Sequence, residues 1–161
     1  MMITTRQGDI DLIEKVQERA TRLVPGLRGK SYEDRMEKLG LIRLVERRFR
    51  GDMIETHKIM SDREGVRKED FFRPQVERGD PELFRGRKIF KERPGGVKRQ
   101  NAFSQRVVNP WNKLSREEVM AGKTSSFKGK FDKMEKDTRR GDREENRGRG
   151  SLYKRLYEQL H

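Results

Sequence analysis

The apolar positions of the first sixty residues recur at helical spacing. Ile10, Ile13, Val16 or Gln17, Ala20 and Leu23 follow the i, i+3, i+7 rhythm of one buried stripe, which predicts a helix from Asp9 to Val24. Asp9 and Asp11 suit its positive N-terminal end, and Arg19 and Arg22 suit the other. Pro25-Gly26 stops it, because proline has no N–H to donate and its ring clashes backwards. Ser31 is placed to cap a short second helix, with Asp34 as a weak capping-box partner, Met36 and Leu39 inward, and Gly40 as the C-terminal stop. A third helix is predicted from Ile42 to Met60. It buries Ile42, Val45, Phe49, Met53 and Met60 and leaves Arg47, Arg48, Arg50 and Glu55 largely outside. Gly51 interrupts this helix at a cost of ~1 kcal/mol relative to alanine. Either another helix comes close there or the glycine is simply tolerated. Three amphipathic helices with short joins predict an antiparallel bundle over residues 9–60, after a flexible start at 1–8.

The rest of the chain is less regular. Residues 61–100 form a polar and basic connector, with Glu69-Asp70-Phe71-Phe72 as one helical turn pinned by two aromatics. Leu83-Phe84 and Ile89-Phe90 are separated by basic residues, and Pro94-Gly95-Gly96 makes a turn, so a ragged hairpin and an extended basic loop fit equally well. Order returns over 101–136. Phe103, Val107, Trp111 and Leu114 share a helical face, and Pro110 should kink or restart the helix after Asn109. Ser115-Arg116-Glu117-Glu118 is a capping box, and Ser125 or Ser126 starts a last helix carrying Phe127, Phe131 and Met134. Residues 137–150 hold no apolar side chain and are expected to be a disordered linker. A short amphipathic helix follows over 151–161, with Leu152, Leu156 and Leu160 on one side. The expected fold class is mainly α: a small irregular helical bundle with a basic loop or hairpin in the middle and a disordered C-terminal tail.

Composition limits the core. Leu, Ile, Val and Phe make up 35 of 161 residues, just above the ~20% below which a highly charged chain fails to bury one. The absence of cysteine excludes disulfides and Cys-based zinc sites. No apolar run is longer than the three residues Met1-Met2-Ile3, whereas a spanning helix needs ~20 residues. No charged start followed by an apolar stretch suggests a secretory signal. An intracellular protein without membrane contact is the expectation, nucleus and cytoplasm not being distinguishable.

The net charge of +13 is concentrated. Residues 1–80 hold 18 basic and 16 acidic side chains, and residues 81–161 hold 22 and 11. Within 83–113, nine basic residues stand against Glu92 alone. Such one-sidedness points to a polyanion, nucleic acid being the commonest. The candidate nucleic-acid-binding residues are Arg85, Arg87, Lys88, Lys91, Arg93, Lys98, Arg99 and Arg106. Phe84, Phe90, Phe103 and Trp111 lie among them, so cations could neutralise phosphates while exposed rings stack on unpaired bases. Against this stand two plainer readings. Phe103 and Trp111 share a helical face and suit a core, and the charges suit a solvated loop.

Catalysis finds no inventory. The histidines are His57, amid charged residues of the third helix, and the terminal His161. No H-E-x-x-H, Walker A or G-x-S-x-G motif occurs. The acidic pairs Glu33-Asp34, Glu69-Asp70, Glu117-Glu118 and Glu144-Glu145 are accounted for by capping or solvation. No catalytic residue, metal or cofactor is expected.

Several strings carry a more specific signal. The run from Asp9 through Ala20-Thr21-Arg22-Leu23-Val24-Pro25-Gly26-Leu27 resembles a segment near the C-terminus of reverse transcriptases of non-LTR (LINE, jockey-like) retrotransposons. So do Ser31-Tyr32-Glu33-Asp34-Arg35 with Lys38-Leu39-Gly40-Leu41, and Arg47-Arg48-x-Arg50-Gly51-Asp52-Met53-Ile54-Glu55-Thr56. Phe103-Ser104-Gln105-Arg106-Val107-Val108-Asn109-Pro110-Trp111-Asn112-Lys113-Leu114 and Ser126-Phe127-Lys128-x-x-Phe131-Asp132-Lys133 continue the series in order. The resemblance covers roughly residues 9–134. It implies a fragment of the helical region after the thumb, an accessory that helps hold template RNA and target DNA. The family's polymerase palm, with its paired metal-binding aspartates, and its endonuclease have no counterpart in this sequence. The expected function is therefore a noncatalytic fragment that contacts RNA or DNA without sequence preference. The alternative is a helical protein-interaction module, whose partner is the missing polymerase domain or another protein and which exposes apolar surface when alone.

Overall fold

The computed structural model describes residues 7–75, 87–93, 95–96 and 102–145, and these are mainly helical. The chain forms two compact units, Met1–Gly51 and Asp52–His161.

In the first unit, α1 spans Gln7–Arg22, α2 spans Tyr32–Lys38, and α3, Leu44–Met60, runs on through the boundary. The starting residues Gln7 and Gly8 are thus already helical, where the sequence predicts a flexible lead. Ser31 caps α2 by accepting the Asp34 N–H at 3.1 Å. Gly40 takes a φ of +62°. That left-handed residue lets Leu41 N–H reach Met36 O at 2.9 Å and Gly40 N–H reach Glu37 O at 3.1 Å, which satisfies the last carbonyls of α2. Both caps are legible in the sequence.

The buried face of α1 is not the predicted one. α1 turns its polar residues toward α2. The Gln17 amide donates to Tyr32 Oη at 3.1 Å and to Ile42 O at 3.2 Å. Tyr32 donates to Glu14 at 2.7 Å, and Leu44 N–H donates to the other Glu14 oxygen at 3.0 Å. Arg35, 3% exposed, donates from Nε to the buried Thr21 hydroxyl at 3.1 Å. Of the predicted stripe, Ile13, Val16 and Leu23 are open to solvent, as is Leu12 beside them, while Ile10 and the alternative Gln17 are half-buried. The physical reason is the unsatisfied polar groups that would otherwise be left. The Tyr32 hydroxyl, the Leu44 N–H at the start of α3 and the Ile42 carbonyl all need partners, and only the Glu14/Gln17 side of α1 supplies them.

In the second unit, the C-terminal part of α3 is enclosed nearly all round. Asp52, Met53, Ile54, Thr56, His57, Ile59 and Met60 are all buried. A 3₁₀ turn follows at Lys68–Asp70. Only one of the two aromatics pins it, since Phe72 is buried and Phe71 is 40% exposed. Residues 88–90 pair with 73–75 through Gln75 N–H to Lys88 O (2.9 Å) and Phe90 N–H to Arg73 O (2.8 Å), around a bridge between Pro74 and Ile89. Among the described residues, the strand-like partner of Ile89-Phe90 is therefore the upstream segment 73–75; Leu83-Phe84, Pro94 and the residues after Gly96 lie outside the described residues.

Next come α4 (Phe103–Arg106) and α5 (Val108–Asn112). The break falls at Val107, earlier than the expected position after Asn109. Pro110 then sits in the first turn of α5, where its missing N–H has no intrahelical partner to lose. α6 (Arg116–Val119) opens with the predicted capping box: Ser115 N–H donates to Glu118 Oε2 at 2.7 Å, and Glu118 N–H donates to Ser115 Oγ at 3.4 Å. α7 runs from Thr124 to Glu145. Helix thus replaces the expected disorder over 137–145. A helix nucleated on the buried Phe127 and Phe131 extends at little cost, and Lys, Arg and Glu propagate it well. The remainder of the expected linker and the helix at 151–161 lie outside the described residues.

Around Phe127 the core is aromatic. Its ring stacks on His57 at 4.4 Å between centroids, and Trp111 and Phe131 lie at 6.0 and 5.9 Å.

Candidate nucleic-acid interface

The basic segment is tied down by α5. Trp111 Nε1–H donates to Arg87 O at 2.8 Å. The Asn112 side-chain amide acts as a strand edge, donating to Ile89 O at 2.7 Å and accepting from Ile89 N–H at 3.0 Å. Ile89 is 1% exposed in consequence. Docking of this strap decides which cations remain available to a ligand.

Two of the predicted residues point inward. Arg87 donates to Ser61 Oγ at 3.1 Å and to Val119 O at 3.3 Å, joining the strap to the ends of α3 and α6. Arg106 lays its fork on Asp52, Nε and Nη2 each 2.8 Å from a carboxylate oxygen, and the two side chains are only 13% and 10% exposed. Both arginines hold the unit together: the Arg106 fork is engaged by Asp52, and Arg87 directs its Nη1 to Ser61 and Val119. Lys88 is half-buried, whereas Lys91 and Arg93 are exposed. Arg85, Lys98 and Arg99 lie outside the described residues.

The aromatic side chains divide similarly. Trp111 is 1% exposed and belongs to the core. Phe103 packs with Phe71 and Phe72, ring centroids 6.4 and 5.9 Å away, and carries the Arg106 guanidinium 5.6 Å from its ring. Phe90, 46% exposed, and Phe71 present ring surface to solvent. Phe84 is outside the described residues. A cavity of about 290 Å³ beside the strap is lined by Glu69, Asp70, Glu92, Phe71 and Phe90 among others. Its lining sets three carboxylates against Arg73, a negative balance that disfavours phosphate.

A basic surface that local charge density does not reveal lies on α7. Phe127 and Phe131 are buried and Met134 half-buried, while Lys123, Lys128, Lys130, Lys133 and Lys136 are exposed. Lys130 reaches the Glu117 carbonyl at 2.9 Å. Asp132 and Glu135 are the acidic residues between Lys123 and Lys136, and Glu135 is buried. The signal was available in the alternation of Lys128, Lys133 and Lys136 with Phe127, Phe131 and Met134 at helical period. A count by segment passes over it because Asp132 and Glu135 reduce its five lysines to a net of +3.

His57 offers no catalytic chemistry. Its ring is fully buried, its Nε2–H donates to Ala121 O at 3.0 Å, and Phe127 covers its face. Burial, with Arg87 and Arg63 adding repulsion, holds its pKa below the ordinary value, although the Ala121 hydrogen bond works the other way. Among the described residues no group of three or more His, Asp and Glu is arranged to hold a metal ion, and no helix is long and apolar enough to cross a membrane. No protein-family model, curated protein or solved structure matches the chain.

Proposed function

We propose that the chain is a noncatalytic helical module that contacts RNA or DNA without sequence preference, as its resemblance to the C-terminal accessory region of non-LTR reverse transcriptases implies. The observation that carries the reading is the lysine face of α7. Lys128, Lys133 and Lys136 stand exposed on a helix held by two buried phenylalanines. A rigid helix presents its cations at fixed spacing to a phosphate backbone, and each phosphate neutralised releases ~0.7 counterions on single strands or ~0.9 on duplex. Lys91 and Arg93 add exposed charge in the same unit, and the exposed rings of Phe71 and Phe90 suit stacking on unpaired bases.

The test is salt-dependent binding of fixed-length single-stranded RNA and DNA. Replacing Lys128, Lys133 and Lys136 by Gln should weaken binding at least tenfold and flatten the salt slope by about two, at ~0.7 per lost phosphate contact. Replacing Arg28, Arg43 and Arg47, which are exposed in the first unit, removes the same charge and should have a much smaller effect. Equal losses from the two sets would reduce the interaction to net charge and remove the site.

A further inference from the structure

The first unit carries an apolar surface that its own packing does not use. Leu12, Ile13, Val16 and Leu23 are 60, 52, 66 and 81% exposed; the first three share one face of α1, and Leu23 follows in the turn just past its end. This is not a helix set down in the wrong phase, because the opposite choice is locked by Glu14, Gln17 and Thr21 in their hydrogen bonds to Tyr32, Ile42, Leu44 and Arg35. Four large apolar side chains along three turns exceed the scattered exposure of an ordinary surface.

The margins of the stripe say what fits it. One margin is closed by α2. The other carries Lys15 and Arg19, one turn apart and exposed, with no carboxylate partner among the described residues. We propose that the open face of α1 is a docking surface for an amphipathic helix whose apolar stripe is bordered by carboxylates. From Leu12 to the end of α1 at Arg22 the helix axis runs about 15 Å at ~1.5 Å per residue, with Leu23 just beyond, which matches about three turns of such a partner. Its carboxylates meet Lys15 and Arg19 at the edge of a dry seam, the arrangement that sets orientation in paired helices. A second copy of this chain fits poorly. Antiparallel self-pairing opposes Lys15 and Arg19 to themselves, and parallel self-pairing drives that margin into α2. An anionic lipid surface fits poorly too, since α1 holds Asp9, Asp11, Glu14 and Glu18 against Lys15, Arg19 and Arg22. This surface lies in the other unit from the α7 lysines, calls for a protein partner, and stands independently of the nucleic-acid reading.

The experiment titrates the full chain with three designed helical peptides of equal length: a leucine stripe bordered by Glu, the same stripe bordered by Lys, and the Glu peptide with its leucines changed to Ser. The Glu-bordered stripe should bind saturably and at least tenfold tighter than either of the others. Val16→Glu should abolish binding while leaving the circular dichroism spectrum unchanged, because Val16 is exposed. Lys15→Glu with Arg19→Glu should reverse the preference toward the Lys-bordered peptide. Equal binding of the Ser peptide, indifference to Val16→Glu, or an unreversed preference would overturn the proposal. So would a dimer of the free chain, or attachment to phosphatidylserine vesicles, that Val16→Glu abolishes, for either would name a different occupant.

Discussion

Arg106 and Asp52 form a two-point pair across the second unit, each guanidinium donor 2.8 Å from its own carboxylate oxygen and both side chains largely withdrawn from water. Arginine's planar fork matches the carboxylate, which lysine cannot do. The pair fixes α4 against α3, and through α4 the turn at Val107 that brings Trp111 inward.

Removing one partner leaves the other charge buried alone. Asp52→Ala should cost ~3–5 kcal/mol, and Arg106→Lys should not restore the pairing geometry. The single tryptophan, Trp111, is 1% exposed in the same unit, so its fluorescence reports the loss directly in a urea titration. A cost near zero for Asp52→Ala would mean that water reaches the pair. In that event Arg106 would be free to return to the candidate phosphate contacts.

His57 supplies a pH dependence with a definite sign. Its folded pKa is lowered by burial, while the unfolded chain titrates near 6.5. The unfolded state therefore binds the proton first, and stability falls as pH drops below about 6.5. At higher pH both states are neutral at this ring and no slope arises from it. Urea midpoints followed by Trp111 fluorescence should decline from pH 7 to pH 5, and His57→Gln should flatten that segment of the profile. A midpoint unchanged over this range in the parent chain would contradict the buried placement.

What could be read from the sequence was governed by locality. The caps at Ser31, Gly40 and Ser115 depend on residues within a few positions of each other, and they were legible. Val107, Trp111, Leu114, Phe127 and Phe131 fell where the helical period put them, because nothing polar competes for that face. α1 failed the same rule because its phase is set by distant polar groups, Tyr32, Ile42 O and Leu44 N–H, whose needs no local window contains. The basic strap failed for a related reason. Arg87 and Arg106 look like their exposed neighbours in sequence, and only Ser61, Val119 and Asp52, 26 to 54 residues away, show that they are structural. Helix at 137–145 was missed because composition alone ignores an anchored helix upstream.

Gly51 decides between the two readings its sequence allowed. It lies inside α3 and is exposed, and a Cβ built there meets nothing within 4 Å. No close approach requires the glycine. Gly51→Ala should therefore stabilise the chain by ~0.8–1 kcal/mol through helix propensity, seen as a higher melting temperature by circular dichroism. A destabilised variant would show that the position is occupied in solution.

Tyr32 gives the first unit its own spectroscopic signature. Burial first, and then its hydrogen bond to Glu14, push the phenol from 10.0 up to about 12. A phenolate there would lose the proton it donates and face the Glu14 carboxylate at 2.7 Å. The folded state thus holds this proton more tightly than the unfolded chain, and the stability it contributes is complete below pH 10 and is lost between pH 10 and about 12. Phenolate absorbance should show one of the chain's three tyrosines titrating late, and Tyr32→Phe should delete that phase alone. Glu14→Gln should move the phase down without bringing it to 10, because burial, the larger cause, remains. If all three tyrosines titrate together near pH 10 in the folded parent, the Glu14–Tyr32 contact is not made. The phase of α1, and with it the open apolar face, would then have to be redrawn.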